Sequence, residues 1–241
     1  MPASLPRIVP LGDAAVLAEF SETLDLAVNA RIQQLAAAIR RRQVPWIRDV
    51  VPALSTLALH FDPARFVPGL SPRDAAADLI RDCLRALPAV ADETARRVEV
   101  PVCYAPELAP DLAEVAASCG LSIEEVSARH AASPHRVLMV GFVPGHPYIG
   151  GLDPALAVPR RTTPRAQVAA GSIAIANAQT VVYPFAIPGG WNIIGRTPLR
   201  VFDPARDPPA LLGPGDLVEF VAINLARYEE LARAAGAGRA P

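Results

Sequence analysis

The stretch AQVAAGSIAIANAQTVVYPFAIPGGWNIIG, residues 166–195, contains no Asp, Glu, Lys, Arg or His. So long an apolar run is either a helix crossing a bilayer or a set of buried strands. Gly171, Asn177, Pro184, Pro188, Gly189 and Gly190 decide between the two. They interrupt the run too often for a spanning helix and leave strand-length pieces between tight turns. Outward from this stretch, short apolar runs recur at 137–142, 168–175, 180–183, 192–195, 199–202 and 217–221, separated by Gly/Pro turns. That rhythm predicts a compact β-barrel. A strand at 98–102 precedes it. Ser122 and Glu125 have capping-box spacing, with Leu121 and Val126 as the accompanying hydrophobic pair, so a helix is expected over 122–132. Another helix, 225–235, is expected to close the domain, and the Gly/Ala/Arg/Pro tail beyond it to fray.

The first ninety residues read differently. Val16–Phe20 is strand-like, and Leu24–Arg41 places Val28, Ile32, Leu35 and Ile39 on one helical face, with Arg40, Arg41 and Arg42 at the end where the helix dipole favours cations. Two apolar runs, 47–51 and 56–61, suggest neighbouring strands. Ser71 as N-cap, Pro72 at the first helical position and Asp74 in the first turn then start a second helix, with Leu79, Cys83 and Leu87 facing inward. Strand, helix, two strands, helix is the pattern of an α+β sandwich. The polar segment 91–97, ADETARR, is expected to be a linker, which divides the chain into an α+β domain at 1–92 and a barrel domain at 97–236.

Composition narrows the function classes. The 241 residues suffice for two modest domains, and 51% hydrophobic with 20% charged residues is a globular balance. A net charge of −1 with dispersed basic residues argues against nucleic acid and anionic membranes, leaving a protein surface or a small molecule as partner. All 23 of the Lys and Arg residues are arginine. Without lysine there is no Walker P-loop and no Schiff-base chemistry. Cys83, Cys103 and Cys119 are far apart and form no CxxC pair, which speaks against a disulfide framework or structural zinc and for reduced thiols in the cytoplasm. The start MPASLPRIVPLGD lacks the charged region and long apolar core of a signal peptide. No HExxH, GxSxG, Rossmann GxGxxG or metal-spaced cysteine set occurs, so self-sufficient catalysis and a metal site are not expected.

Several segments together carry a family resemblance. GFVPGHPYIGGLDPALAVPRRTTPR (141–165), AGSIAIANAQTVVYP (170–184), PGGWNIIGRTPLRVFDP (188–204) and LLGPGDLVEF (211–220) follow one another, after LGDAAVLAEF (11–20), VVPALSTLALHFDP (50–63) and VEVPVCYAPELAPDL (98–112). In order and spacing they resemble the family of bacterial 5-oxoprolinase B subunits, also described as KipI-like or allophanate hydrolase subunit 1. The resemblance implies a small α+β domain, a ferredoxin-like sandwich, followed by a cyclophilin-like β-barrel. It also implies a share in the ATP-dependent opening of 5-oxoproline to glutamate. The partners implied are a larger homologous subunit, of the 5-oxoprolinase C type or allophanate hydrolase subunit 2 type, and a third subunit of the A type. ATP would enter through that complex and not by a P-loop in this chain. The alternative within the family is a KipI-type regulator that binds and inhibits a sensor histidine kinase, and the same module is built into biotin-dependent, urea-processing enzymes. The sequence departs from the family pattern at His146, where Phe is usual, at Ala169, which replaces a Pro, and at Val181, which replaces a Gly and suggests an altered turn.

Candidate site residues come from two barrel segments. In PRRTTPR, prolines hold Arg160, Arg161 and Arg165 on a short loop whose planar guanidiniums suit carboxylate or phosphate oxygens; the alternative is a solvated loop. Gln179, Thr180 and Tyr183 interrupt an apolar strand, while Trp191, Asn192 and Arg196 follow the Pro-Gly-Gly turn. Apolar walls with a few convergent polar groups make a pocket, although turn architecture and barrel packing account for the same residues. Arg160, Arg165, Gln179, Thr180, Tyr183, Trp191 and Arg196 are therefore the expected substrate-binding set, with Arg165, Arg196 and Gln179 the candidates for catalysis. Asp216 in GPGD is expected to cap a hairpin or to bind an arginine of the same cleft. His146 is expected to fill a Phe-shaped slot, His130 and His60 to be structural or exposed, and His135 to lie in a loop.

Overall fold

The structure, a computed structural model, describes residues 5–67, 69–88 and 95–237. Its contacts fall into two units, residues 1–94 and 95–241. The first contains strands β1 (Arg7–Pro10) and β2 (Ala15–Glu19), helix α1 (Leu26–Arg41), strands β3 (Ile47–Pro52) and β4 (Thr56–Phe61) and helix α2 (Pro72–Ala86). Asp25 starts α1 by accepting from the N–H groups of Ala27 and Val28, and Ser71 starts α2 by accepting from that of Asp74. The four strands form an antiparallel sheet in the order β1-β2-β4-β3. Ile32, Leu35 and Ile39 of α1 are fully buried against Leu57, Leu59 and Phe61 of β4. On α2 the buried face runs through Ala76, Ile80, Cys83 and Leu84, with Leu79 and Leu87 only partly covered at its margin. The sequence pattern does not announce β1, which follows Pro6 and ends on Pro10. Proline is tolerated there because an edge strand has no outer partner for the missing N–H. The linker expected at 91–97 lies, in residues 91–94, outside the described residues, as does the tail beyond 237.

The second unit opens with β5 (Arg97–Cys103) and helices α3 (Leu112–Cys119) and α4 (Ile123–Ala132). Then come β6 (His135–Val140), β7 (Pro147–Gly150), β8 (Arg165–Val168), β9 (Ser172–Ala176), β10 (Gln179–Val182), β11 (Ile187–Gly189), β12 (Asn192–Arg196), β13 (Leu217–Ile223) and helix α5 (Leu225–Ala237). Seven strands close a barrel in the order β10-β7-β6-β13-β5-β12-β9, and β8 pairs with β11 in a separate two-stranded sheet. The capping box expected at Ser122 and Glu125 forms in both directions. Helix α3 is not foreseen by the sequence reading, although Asp111 before it and left-handed Gly120 after it are its punctuation. The apolar run 168–175 is two strands, not one, because Gly171 takes a φ of +79° between them. The run 199–202 makes no strand; only an isolated bridge joins Phe202 to Ala210.

Alternation along the strands explains the uncharged stretch. Ile173, Ile175, Val182 and Ile194 point into the barrel, with Val100, Val137, Ile149 and Phe220. Their neighbours Ala174, Ala176, Val181, Tyr183 and Ile193 point outward, yet they are buried too, in a second cluster with Val168 of β8 and Trp191. Strands covered on both faces leave no position for a charge. Val181 lies within β10, paired with Ala174 and Tyr148, so the turn suggested by its replacement of a family Gly does not occur.

His130 and His135 lie inside the second unit, 0% and 1% exposed. His135 is the first residue of β6, not part of a loop. The His130 ring stacks on Phe220 at 4.6 Å, with the Tyr104 hydroxyl 2.8 Å from its Nδ1 and Thr180 Oγ1 3.3 Å from its Nε2. His135 Nε2 lies 2.7 Å from the His130 carbonyl. Burial holds His130 well below the ordinary histidine range, and burial lowers His135 from 6.5 to about 4. Both rings are therefore neutral in the fold, and in acid the unfolded chain binds protons that the folded chain refuses. Stability contributed by these histidines is present above pH 6.5 and is lost as pH falls below it, for His135 down to about 4. At about pH 5.5 the loss from His135 is ~1.4 kcal/mol, and His130 adds to it in the same direction. Urea-unfolding midpoints between about pH 8 and 5 check this. A level midpoint above neutrality followed by a decline is expected, and a midpoint that does not move on acidification contradicts it.

Candidate functional site

The arginine loop and the Pro-Gly-Gly turn meet on the outer face of the barrel, and a residue outside the expected set joins them. Asp111 precedes α3, but its carboxylate makes no bond to the first turn of that helix. Instead Oδ1 accepts from Arg161 Nη1 at 2.9 Å and Arg165 Nη2 at 2.6 Å, while Oδ2 accepts from Arg165 Nη1 at 2.9 Å and the Ile193 N–H at 2.7 Å. All four acceptor positions of a carboxylate are thereby filled. The backbone adds a bond from the Asp111 N–H to the Ile193 carbonyl. At 3% side-chain exposure the carboxylate is out of water, and only this complete pairing makes its burial tolerable. The signal present in PELAPDL is an acidic residue directly after Pro110 at the head of an apolar run, although Glu107 stands in the same segment.

Asn192 pins the same loop from below. Its Nδ2 donates to the Pro159 carbonyl at 2.9 Å and the Ile175 carbonyl at 3.2 Å, and the Arg161 N–H donates to the Gly190 carbonyl. Arg160 is thus delivered over the Trp191 ring, its guanidinium carbon 5.3 Å from the centroid. Arg160 is exposed, and among the described residues no carboxylate pairs with it. Tyr183 is 2% exposed beneath this patch. Burial pushes its phenol up, opposed by a backbone hydrogen bond at Trp191 and by the charges of Arg160 and Arg165. A Cβ on Gly189 would overlap the Tyr183 hydroxyl, so the turn must carry glycine for the strand to approach the ring. Gln179 shares the outward face of β10 with Val181, in line with Tyr183 just beyond the strand, and its Nε2 is a buried donor with no partner among the described residues.

The remaining expected residues divide. Arg165 belongs to the patch, but its fork is occupied by Asp111. Thr180 faces the barrel interior, fully buried beside His130. Arg196 lines a cavity of about 720 Å³ whose walls include none of the other six residues of the set. The single shared hollow expected from sequence is therefore two places, because β12 carries Trp191 and Arg196 to opposite ends of one strand. Asp216 accepts from the Gly213 N–H at 2.7 Å and pairs with Arg96, away from both places. His146 is 3% exposed, 5.0 Å from the Tyr148 ring and 5.4 Å from that of Tyr183, and burial lowers its pKa to about 4. It packs as an aromatic would. Among the described residues, no cluster of three or more His, Cys, Asp or Glu is placed to hold a metal ion.

Replacing Asp111 with Asn leaves two guanidiniums facing a neutral group. A loss of ~2 kcal/mol is expected, below the figure for a fully buried pair because the arginines are partly solvated. Glu114→Gln, at a side chain 68% exposed, should change stability by less than about 0.5 kcal/mol. Chemical denaturation of both variants measures the difference, and equal midpoints would remove Asp111 from its central position.

Residues 6–212 match the family described as carboxyltransferase domain, subdomain C and D. The chain is 38% identical over 227 residues to the 5-oxoprolinase B subunit of Bacillus subtilis, covering 92% of this chain and 95% of that one. To the protein of the same name from Escherichia coli O157:H7 it is 40% identical over 217 residues, covering 89% and 95%. Among solved structures, TTHA0988 superposes with a TM-score of 0.75 at 37% identity over 88% of this chain, which spans only 40% of that longer chain. With likeness of this extent in both sequence and fold, the chain belongs to the carboxyltransferase subdomain C and D family, among the relatives known as 5-oxoprolinase B subunits.

Proposed function

We propose that the chain is the B-type subunit of a heteromeric, ATP-dependent 5-oxoprolinase that opens the lactam of 5-oxoproline to glutamate. The observation that carries this reading is the end-to-end likeness to relatives of that name, at 95% of their lengths. In this reading the chain forms one wall of a composite site. A larger homologous subunit of the C type completes it, a third subunit of the A type takes part, and the isolated chain is inactive. The longer chain of TTHA0988 supports a completing module outside this sequence. The domain limits 1–92 and 97–236 belong to the same reading, with the first domain a ferredoxin-like sandwich and the second a cyclophilin-like barrel. The passage of α1 between β2 and β3, on either side of β4, supports the first assignment, and the closed seven-stranded barrel supports the second. No helix among the described residues is long and apolar enough to cross a membrane, which suits the cytoplasmic location proposed.

Within the wall, Arg160 and Gln179 are the groups with capacity to spare. A small lactam acid presents a carboxylate and an amide carbonyl, both acceptors. The Arg160 guanidinium suits the first; the Gln179 amide, whose Nε2 is buried without a partner among the described residues, would meet the second only after its side chain turns outward. Trp191 and Tyr183 supply the apolar floor. Arg165 and Thr180 act as positioning residues, one holding the loop through Asp111 and the other holding β10 through His130. ATP belongs to the complex, since a chain without lysine has no P-loop to cradle it.

Reconstitution with the two partner proteins tests the reading through glutamate formation. Activity should depend strictly on this chain. Arg160→Ala should lower kcat/KM about tenfold or more, a loss of ~1.4 kcal/mol, without shifting the melting temperature. Full glutamate formation in the absence of this chain would end the proposal.

A further inference from the structure

The cavity beside Arg196 lies outside the patch just described. Strand β12 ends there, and α5 turns Tyr228 and, one turn on, Ala232 toward it. The small side chain at 232 leaves space between helix and barrel. Phe185 and Phe202 form the opposite wall, their rings 5.6 Å apart and edge to face, with Phe185 still 37% exposed. Two cations reach into this apolar space, Arg196 and Arg200, and no acidic residue among the described residues lines it. Arg196 Nε donates to the Ala170 carbonyl at 2.9 Å. That bond fixes the plane of the guanidinium and leaves its two terminal amino groups as a fork, which no carboxylate among the described residues fills. Arg200 shares Asp203 at 3.2 Å, both partly exposed, an arrangement that water and a competing anion readily open.

An oriented, unpaired fork next to aromatic walls, at a volume of about 720 Å³, has the make-up of a small-molecule site. We propose that this cavity binds a small organic anion with a flat ring, its carboxylate or phosphate on Arg196 and Arg200 and its ring against Phe185, Phe202 and Tyr228. The site is separate from the Arg160–Trp191 patch, so neither assignment depends on the other. Carboxylate and phosphate share the chemistry that the two guanidiniums recognise, and the ring is what distinguishes the ligand from a bare ion.

Titration calorimetry on the purified full chain tests this with three probes: benzoate, adenosine monophosphate and inorganic phosphate. Saturable binding of benzoate or of the nucleotide is expected, with the tighter of the two identifying the anion. Inorganic phosphate should bind at least tenfold more weakly than that probe. Arg196→Gln and Arg200→Gln should each weaken it at least tenfold, and Tyr228→Ala should weaken it while leaving phosphate unaffected. Melting temperatures within about 2 °C of the parent keep these variants interpretable. Should Arg196→Gln fall outside that limit, Arg200→Gln and Tyr228→Ala decide. The proposal is overturned if neither ring-bearing probe binds, if phosphate binds as tightly as they do, or if binding survives loss of the arginines.

Discussion

The carboxylate of Asp111 is the constraint on which the outer face of the second unit depends. It sits before α3, takes the backbone of β12 through the Ile193 N–H, and holds two arginines of the loop that leads into β8. A buried carboxylate with even one open position would favour any rearrangement that returned it to water. With every position filled, it ties a helix, a barrel strand and the covering two-stranded sheet at one point. The β8–β11 sheet is thereby held over Tyr183, Trp191 and Ile193, and the second apolar cluster follows from that cover.

The clamp also sorts the arginines. Arg161 and Arg165 are matched by Asp111 together with Glu114, which pairs with Arg161 at 3.0 Å; Arg160, one residue before Arg161, stacks on Trp191 instead. An arginine whose charge is matched contributes geometry, and one whose charge is open contributes recognition. The same distinction holds at the far end of β12, where Arg196 is oriented by a carbonyl and has no acidic partner among the described residues. A single strand thus supplies two chemically different neighbourhoods because its ends face different covers, the loop at 159–165 at one and α5 at the other.

Burial of histidine follows a related logic. For His130, His135 and His146 desolvation is the leading cause of a depressed pKa. Such rings are polar aromatics in the folded chain. They fill space, and two of them accept or donate to Tyr104, Thr180 and a backbone carbonyl. For His146, flanked by Tyr148 and Tyr183, that is the part a phenylalanine would play.

Local rules within the sequence determined most of the elements. Caps at Ser71 and Ser122, the helical stripe of Ile32, Leu35 and Ile39, and Gly/Pro punctuation each act over a few residues, so they are legible without knowing the fold. The barrel was legible for the same reason, and the family from motifs spread over nearly the whole chain. The tertiary structure alone decided which charges meet. Asp111 stands 54 residues from Arg165 and 82 from Ile193, and no periodicity connects them. Nor could the chain order reveal that Thr180 turns inward while Gln179 turns outward, or that Arg165 and Arg196 lie in separate settings. Side-chain direction along a strand depends on where pairing begins, and ion pairing depends on closure of the barrel; both are properties of the assembled sheet.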